Sequence, residues 1–175
     1  MLRAMGWTRR AVVAAAWVLP LAGCVKQAEP DPAEIRTTAP PWSAPRDAVS
    51  YIDYARLPRL PLDAADDPHV LTLEVFLFRQ QVEVPAYVGI DRLRAVQAPC
   101  HTHDASGTVW LEGNGSHDVT LGQFFDVWGV RLTATCLGPT CGSVTVTADG
   151  ATVSSPRDVR LRDVGHVVVR APGAS

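Results

Sequence analysis

From residue 69 onward, apolar and polar residues alternate with a period of two. "HVLTLEVFLF" and "QVEVPAYVGI" are rich in β-branched and aromatic residues and predict strands, with Pro85 marking an edge or a bulge in the second. "GTVWLE" and "HDVTL" flank Gly113-Asn114-Gly115-Ser116, where the Asn-Gly pair favours a hairpin turn. "VRLTATC", "SVTVTA", "ATVSS" and "GHVVVRA" continue the series, and Asp149-Gly150 supplies a second hairpin turn. Turn signals spaced by roughly 8–12 residues predict a mainly β domain over residues 69–172, a single antiparallel sandwich or barrel-like unit. One segment has a different period. In "TLGQFFDVWGV", Thr120 and Gln123 make a capping-box pattern, Leu121, Phe124, Phe125 and Trp128 recur at helical spacing, and Gly129 stands where a left-handed cap would. This predicts a short helix over about 121–128 whose aromatic stripe belongs to the core.

Ahead of residue 69 the alternation is missing. Arg3, Arg9 and Arg10 precede "AVVAAAWVLPLAG", an apolar run too short to span a bilayer comfortably. It reads as a signal peptide over residues 1–23. Its end, Leu21-Ala22-Gly23-Cys24, resembles the lipobox of bacterial lipoproteins, which implies a diacylglycerol on the Cys24 sulfur and cleavage before it. "TRRAVV" also resembles a twin-arginine export signal. Residues 24–50, with proline, small and charged residues and no hydrophobic period, predict a tether, or else an arm that docks Trp42 on the domain. Residues 51–68 read as a lead-in that lays Tyr51, Ile52 and Tyr54 on the core. No later stretch reaches the eighteen or more apolar residues of a membrane span, so the expected membrane contact is the lipid on Cys24 at the extracytoplasmic face of the cell membrane.

The chain carries a formal net charge of −2, and loss of residues 1–23 removes three arginines and no carboxylate. A mature part this acidic lacks the clustered cations that phosphate binding needs, so nucleic acid is not an expected partner. Of four cysteines, Cys24 is assigned to lipid. Cys136 and Cys141 enclose Leu-Gly-Pro-Thr, whose Gly-Pro turns the chain back, and the oxidising compartment favours a disulfide between them. Cys100 is then left over, either buried and inert or part of a site.

The candidate chemistry lies in "CHTHDASGTVWLEG", residues 100–113, which holds two of the five histidines. If the segment is extended, His101 and His103 point to one face about 7 Å apart and can share one transition-metal ion. Asp104 is the expected third ligand, with Cys100, His69 and Glu112 as further donors. Imidazole nitrogens favour copper or zinc over magnesium or calcium. The competing reading is a polar turn over Asp104–Gly107, in which Asp104 and Ser106 bond backbone amides.

The same stretch followed by "TLGQFFDVWGV" resembles a family of poorly characterised secreted or membrane-anchored prokaryotic proteins. In that family a His-Thr-His-Asp-x-Ser-Gly segment precedes an Ile-His-x-Glu strand and a Leu-Gly-x-Phe-Phe-x-x-Trp-Gly helix. An upstream strand that opens with a histidine corresponds to His69 and "VEVPAYVGI", so the resemblance spans about residues 69–170. It implies a shared β fold and a histidine-rich feature, and it supplies no reaction. This chain departs from it at Trp110, where the family pattern has histidine.

Two functions follow as expectations. One is a lipid-anchored extracytoplasmic domain that binds a transition metal through His-x-His-Asp. The other is a cell-surface interaction or structural lipoprotein, with an unidentified protein partner and neither metal nor catalysis. An enzyme is the lesser expectation, since the chain has no Gly-x-Ser-x-Gly elbow, phosphate loop or His-Glu-x-x-His.

Overall fold

The computed structural model describes residues 30–171, so the expected signal peptide, the lipobox-like segment and Cys24 lie outside the described residues. The fold is mainly β. In chain order the strands are β1 (Leu60–Pro61), β2 (His69–Leu77), β3 (Gln80–Val82), β4 (Ile90–Asp91), β5 (Val96–Gln97) and β6 (Cys100–His101), then β7 (Thr108–Leu111), β8 (Cys136–Leu137), β9 (Thr140–Cys141), β10 (Thr145–Ala148), β11 (Ala151–Thr152) and β12 (His166–Ala171). Two helices join them, α1 (Ala48–Tyr54) and α2 (Leu121–Trp128). The main sheet runs in the order β11-β10-β12-β2-β7-β6, with β3 also pairing β2. Smaller sheets are β1-β5-β4 and β8-β9. The main sheet is mixed rather than purely antiparallel, because β12 lies parallel to β2, and no barrel closes.

Alternation along β2 sends Leu71, Leu73, Val75 and Leu77 to one face, where they are buried with Val109, Leu111, Val146, Val167 and Val169 of the neighbouring strands. Helix α2 closes over this core, burying Leu121, Phe124, Phe125, Val127 and Trp128. Its limits are those the sequence predicts. The Thr120 hydroxyl accepts the Gln123 N–H, Gln123 Oε1 accepts the Thr120 N–H, and Gly129 ends the helix at a left-handed φ of 70°. Among the described residues, no helix is long and apolar enough to cross a membrane.

Several local expectations are corrected. The Gly113–Ser116 turn does not return a strand. Ser116 donates to Gly113 O and Gly113 N to Asp66 O, so the turn is anchored on the lead-in, and residues 116–118 form a 3-10 turn. "VRLTATC" forms no continuous strand and contributes isolated bridges at Val130 and Leu132 and the start of β8. The strand read over residues 81–90 shrinks to β3, because Pro85 offers no N–H to a ladder. By contrast, Asp149-Gly150 does turn β10 into β11, and Cys136 and Cys141 are register partners joined by a disulfide.

Residues 24–50, expected as a tether, are part of the folded body from Arg36 onward. Trp42 is 2% exposed and meets Trp128 edge-on at 5.7 Å, while the Trp128 indole N–H donates to Trp42 O at 3.0 Å. The Arg36 guanidinium donates to Gly129 O and Ser43 O, at 3.1 and 2.6 Å, and also to Trp128 O. A cation is thereby placed on the carbonyls that α2 leaves unpaired at its end. In the lead-in Ile52 is buried, Tyr51 half-buried and Tyr54 exposed.

Candidate metal centre

Register decides which side chains meet. Cys100 stands opposite Leu111 and His69 opposite Leu111 from the other side, so both belong to the core face. His101 stands opposite Trp110, and Trp110 opposite Val70, so these three form a row on the other face. Cys100 is buried, and burial pushes its thiol well above the usual range, which leaves it an inert core residue. The His69 ring donates to Val164 O at 3.4 Å. Neither joins the centre.

His103, two residues beyond His101, returns to the same side, and the two rings meet edge-on with centroids 4.8 Å apart. Glu112 brings its carboxylate there from the end of β7, with Oε2 3.5 Å from His101 Nε2. One donor atom from each of His101, His103 and Glu112 lies within 4.8 Å of the others, so this trio could hold a metal ion. Two donors bound 2.0–2.2 Å from one tetrahedral ion stand about 3.4 Å apart, so the His101–Glu112 pair is already at ligand spacing. His103 is exposed, and its donor atom lies within 4.8 Å of the other two.

Asp104, the expected third ligand, is placed elsewhere. Its Oδ1 accepts the Ser106 N–H at 2.9 Å, and the Ser106 hydroxyl accepts the Thr108 N–H at 3.2 Å. Asp104–Gly107 is the polar turn of the competing reading, and the carboxylate that stands with the two histidines before it is that of Glu112 rather than Asp104. Thr102, unremarked in the sequence, fixes the residue between the histidines. It is buried, and its hydroxyl accepts the Val88 N–H at 3.0 Å and donates to Pro85 O at 2.7 Å. Its apolar–polar period gave no hint of this, because both partners lie in a non-strand segment.

The electrostatics centre on His101, which is fully buried. Its Nδ1 lies 3.0 Å from Ala98 O, and since a carbonyl only accepts, Nδ1 carries the proton. Nε2 then presents a lone pair and has no hydrogen-bond partner. Burial lowers the imidazole pKa to about 4, opposed by the Ala98 carbonyl and assisted by His103. The Nε2 lone pair thus faces Glu112 Oε2 at 3.5 Å, and Glu112 is itself buried.

Trp110 packs T-shaped against His103 with centroids 5.3 Å apart and is not a member of the trio. No protein-family model, curated protein or solved structure matches this chain.

Proposed function

We propose that this chain is a lipid-anchored extracytoplasmic β domain that binds a transition metal, copper(II) or zinc, through His101, His103 and Glu112. The observation that carries the metal reading is the buried, unpartnered Nε2 of His101 held 3.5 Å from Glu112 Oε2. Two acceptors facing each other out of water are costly, and a cation between them turns repulsion into two bonds. A proton is the other bridge, and the burial of the ring works against it. Two nitrogens and one carboxylate oxygen suit copper and zinc better than the hard, all-oxygen ions. The anchoring rests on the lipobox-like Leu21–Cys24 and the basic, apolar segment before it.

The test uses untagged protein: elemental analysis of the purified chain, then calorimetric titration with copper(II) and zinc. One ion per chain is expected, with binding lost in His103→Ala, whose exposed side chain can be removed without disturbing the core. Equal, weak binding by wild type and variant would overturn the reading. The alternative, an interaction domain without metal, is favoured by the uncovered face of the main sheet. Val70 is 46% exposed there, beside half-buried Trp110 and Phe76.

A further inference from the structure

The trio supplies three donors, and among the described residues no fourth histidine, cysteine or carboxylate joins it. His69 and Cys100 face the core, and Asp104 is held by its turn. Copper(II) and zinc take at least four ligands, so the remainder must come from outside the protein. The direction of entry is set by burial: His101 and Glu112 lie inward, while His103 is exposed. A divalent ion against one carboxylate leaves a positive charge uncompensated, which favours an anion over a neutral ligand.

What lies beside that position is apolar. Val70, Trp110 and His101 form one cross-strand row on the face opposite the core, exposed at its Val70 end and buried at its His101 end, each a direct register partner of the next. Side chains in such a row stand about 5 Å apart, so Val70 and Trp110 continue outward from the ligating imidazole. Val70 is exposed and Trp110 half-buried, its ring T-shaped against that of His103. An inorganic anion would leave this strip wet, whereas an anion with an apolar body would cover it.

We propose that the metal centre takes a small organic carboxylate, whose carboxylate completes the coordination shell while its apolar body lies on Trp110 and Val70. This rests on the metal reading above, and the experiment separates the two. The full chain is loaded with cobalt(II), whose visible bands report its ligands, and is titrated in turn with azide, acetate, butyrate and phenylacetate. The cobalt spectrum should form with wild type and change saturably with each anion. Affinity should rise from acetate to butyrate by about twofold to fourfold per added methylene. Trp110→Ala should flatten that rise while cobalt binding and the azide response persist.

If no cobalt spectrum forms, the metal reading fails and this inference falls with it. If the spectrum forms and no anion changes it, the shell is closed and the inference alone is overturned. A response to anions that appears only in Asp104→Asn would show that Asp104 swings in as the fourth ligand, which also overturns it. Equal affinities for acetate, butyrate and phenylacetate would leave an open coordination position but remove the carboxylate-with-apolar-body assignment.

Discussion

At the scale of single residues, His101 and Glu112 make opposite demands on fold and function. Without metal, the Glu112 carboxylate can only accept, and so can His101 Nε2 once Nδ1–H is given to Ala98. Glu112→Gln replaces one acceptor with an amide that can donate to Nε2. Thermal unfolding in the presence of a chelator should show the variant more stable by about 1 kcal/mol, the net worth of one buried hydrogen bond. Metal titration should show it binding far more weakly. A variant less stable than wild type would mean that a cation or proton already bridges the pair. The metal-free protein should also weaken in acid. His101 is held to about 4 in the fold by burial, against about 6.5 in an unfolded chain. The unfolded state therefore takes up a proton first, and stability falls as pH drops from about 6.5 to about 4, by about 3 kcal/mol in all. Urea unfolding at several pH values should show this slope, and His101→Gln should lack it. Of these residues the sequence identified the histidines by their spacing. It put Asp104 first and Glu112 only among the further donors, since Asp104 adjoins the histidines in the chain whereas Glu112 reaches them only through the β6–β7 pairing.

At the scale of elements, what was legible depended on whether the signal was local. Helix α2 was readable because its cap, its apolar stripe and its terminal glycine all lie within ten residues. The Asp149-Gly150 turn was readable for the same reason, with φ of 47° and 83° at residues suited to left-handed backbone. The β2–β3 turn was not. Phe78 and Arg79 form a two-residue connection between register partners Leu77 and Gln80, at φ of 51° and 71°, and neither residue type announces such a turn. A left-handed conformation costs a residue with a side chain roughly 1 kcal/mol or more, so β2 pairing must over-determine it. Replacing Phe78-Arg79 by Asn-Gly should raise stability by about 1–2 kcal/mol in denaturant unfolding, with metal affinity unchanged. No gain would mean that Phe78 contributes packing equal to the strain. The Cys136–Cys141 bridge closes so short a loop that Cys136→Ser/Cys141→Ser should cost about 2 kcal/mol at most. Metal binding should survive this change too, because β8 and β9 share no strand pairing with β6 or β7.

At the scale of the whole molecule, the proposed anchor and the folded body are closer in sequence than composition suggested. The expected tether extended to residue 50, because proline-rich chain with no apolar period carries no local sign of docking. What the pattern could not show is how it is held, with Ser50 and Tyr51 of α1 bonding the backbone of Asp31 and Glu34 as well. Trp42 fills a place against Trp128 in the core, and Arg36 spends its guanidinium on three backbone carbonyls, two of them at the end of α2. Only eleven residues then lie between Cys24 and Arg36, a reach of no more than about 40 Å at full extension. If Cys24 bears the lipid, Arg36 and the edge of the folded body that it holds lie within that distance of the membrane surface. Mass spectrometry of the native protein should find a diacylglyceryl-modified Cys24 at the mature N-terminus, and Cys24→Ala should leave the membrane fraction or remain uncleaved. An unmodified N-terminus elsewhere would sink the anchor. The arm itself is tested by Trp42→Ala, which opens a cavity in the shared core and should cost about 3–5 kcal/mol of global stability. A freely moving tether would instead make that substitution nearly silent. Limited proteolysis separates the two outcomes: cleavage of wild type should stop before Arg36, whereas the variant should be cut as far as α1.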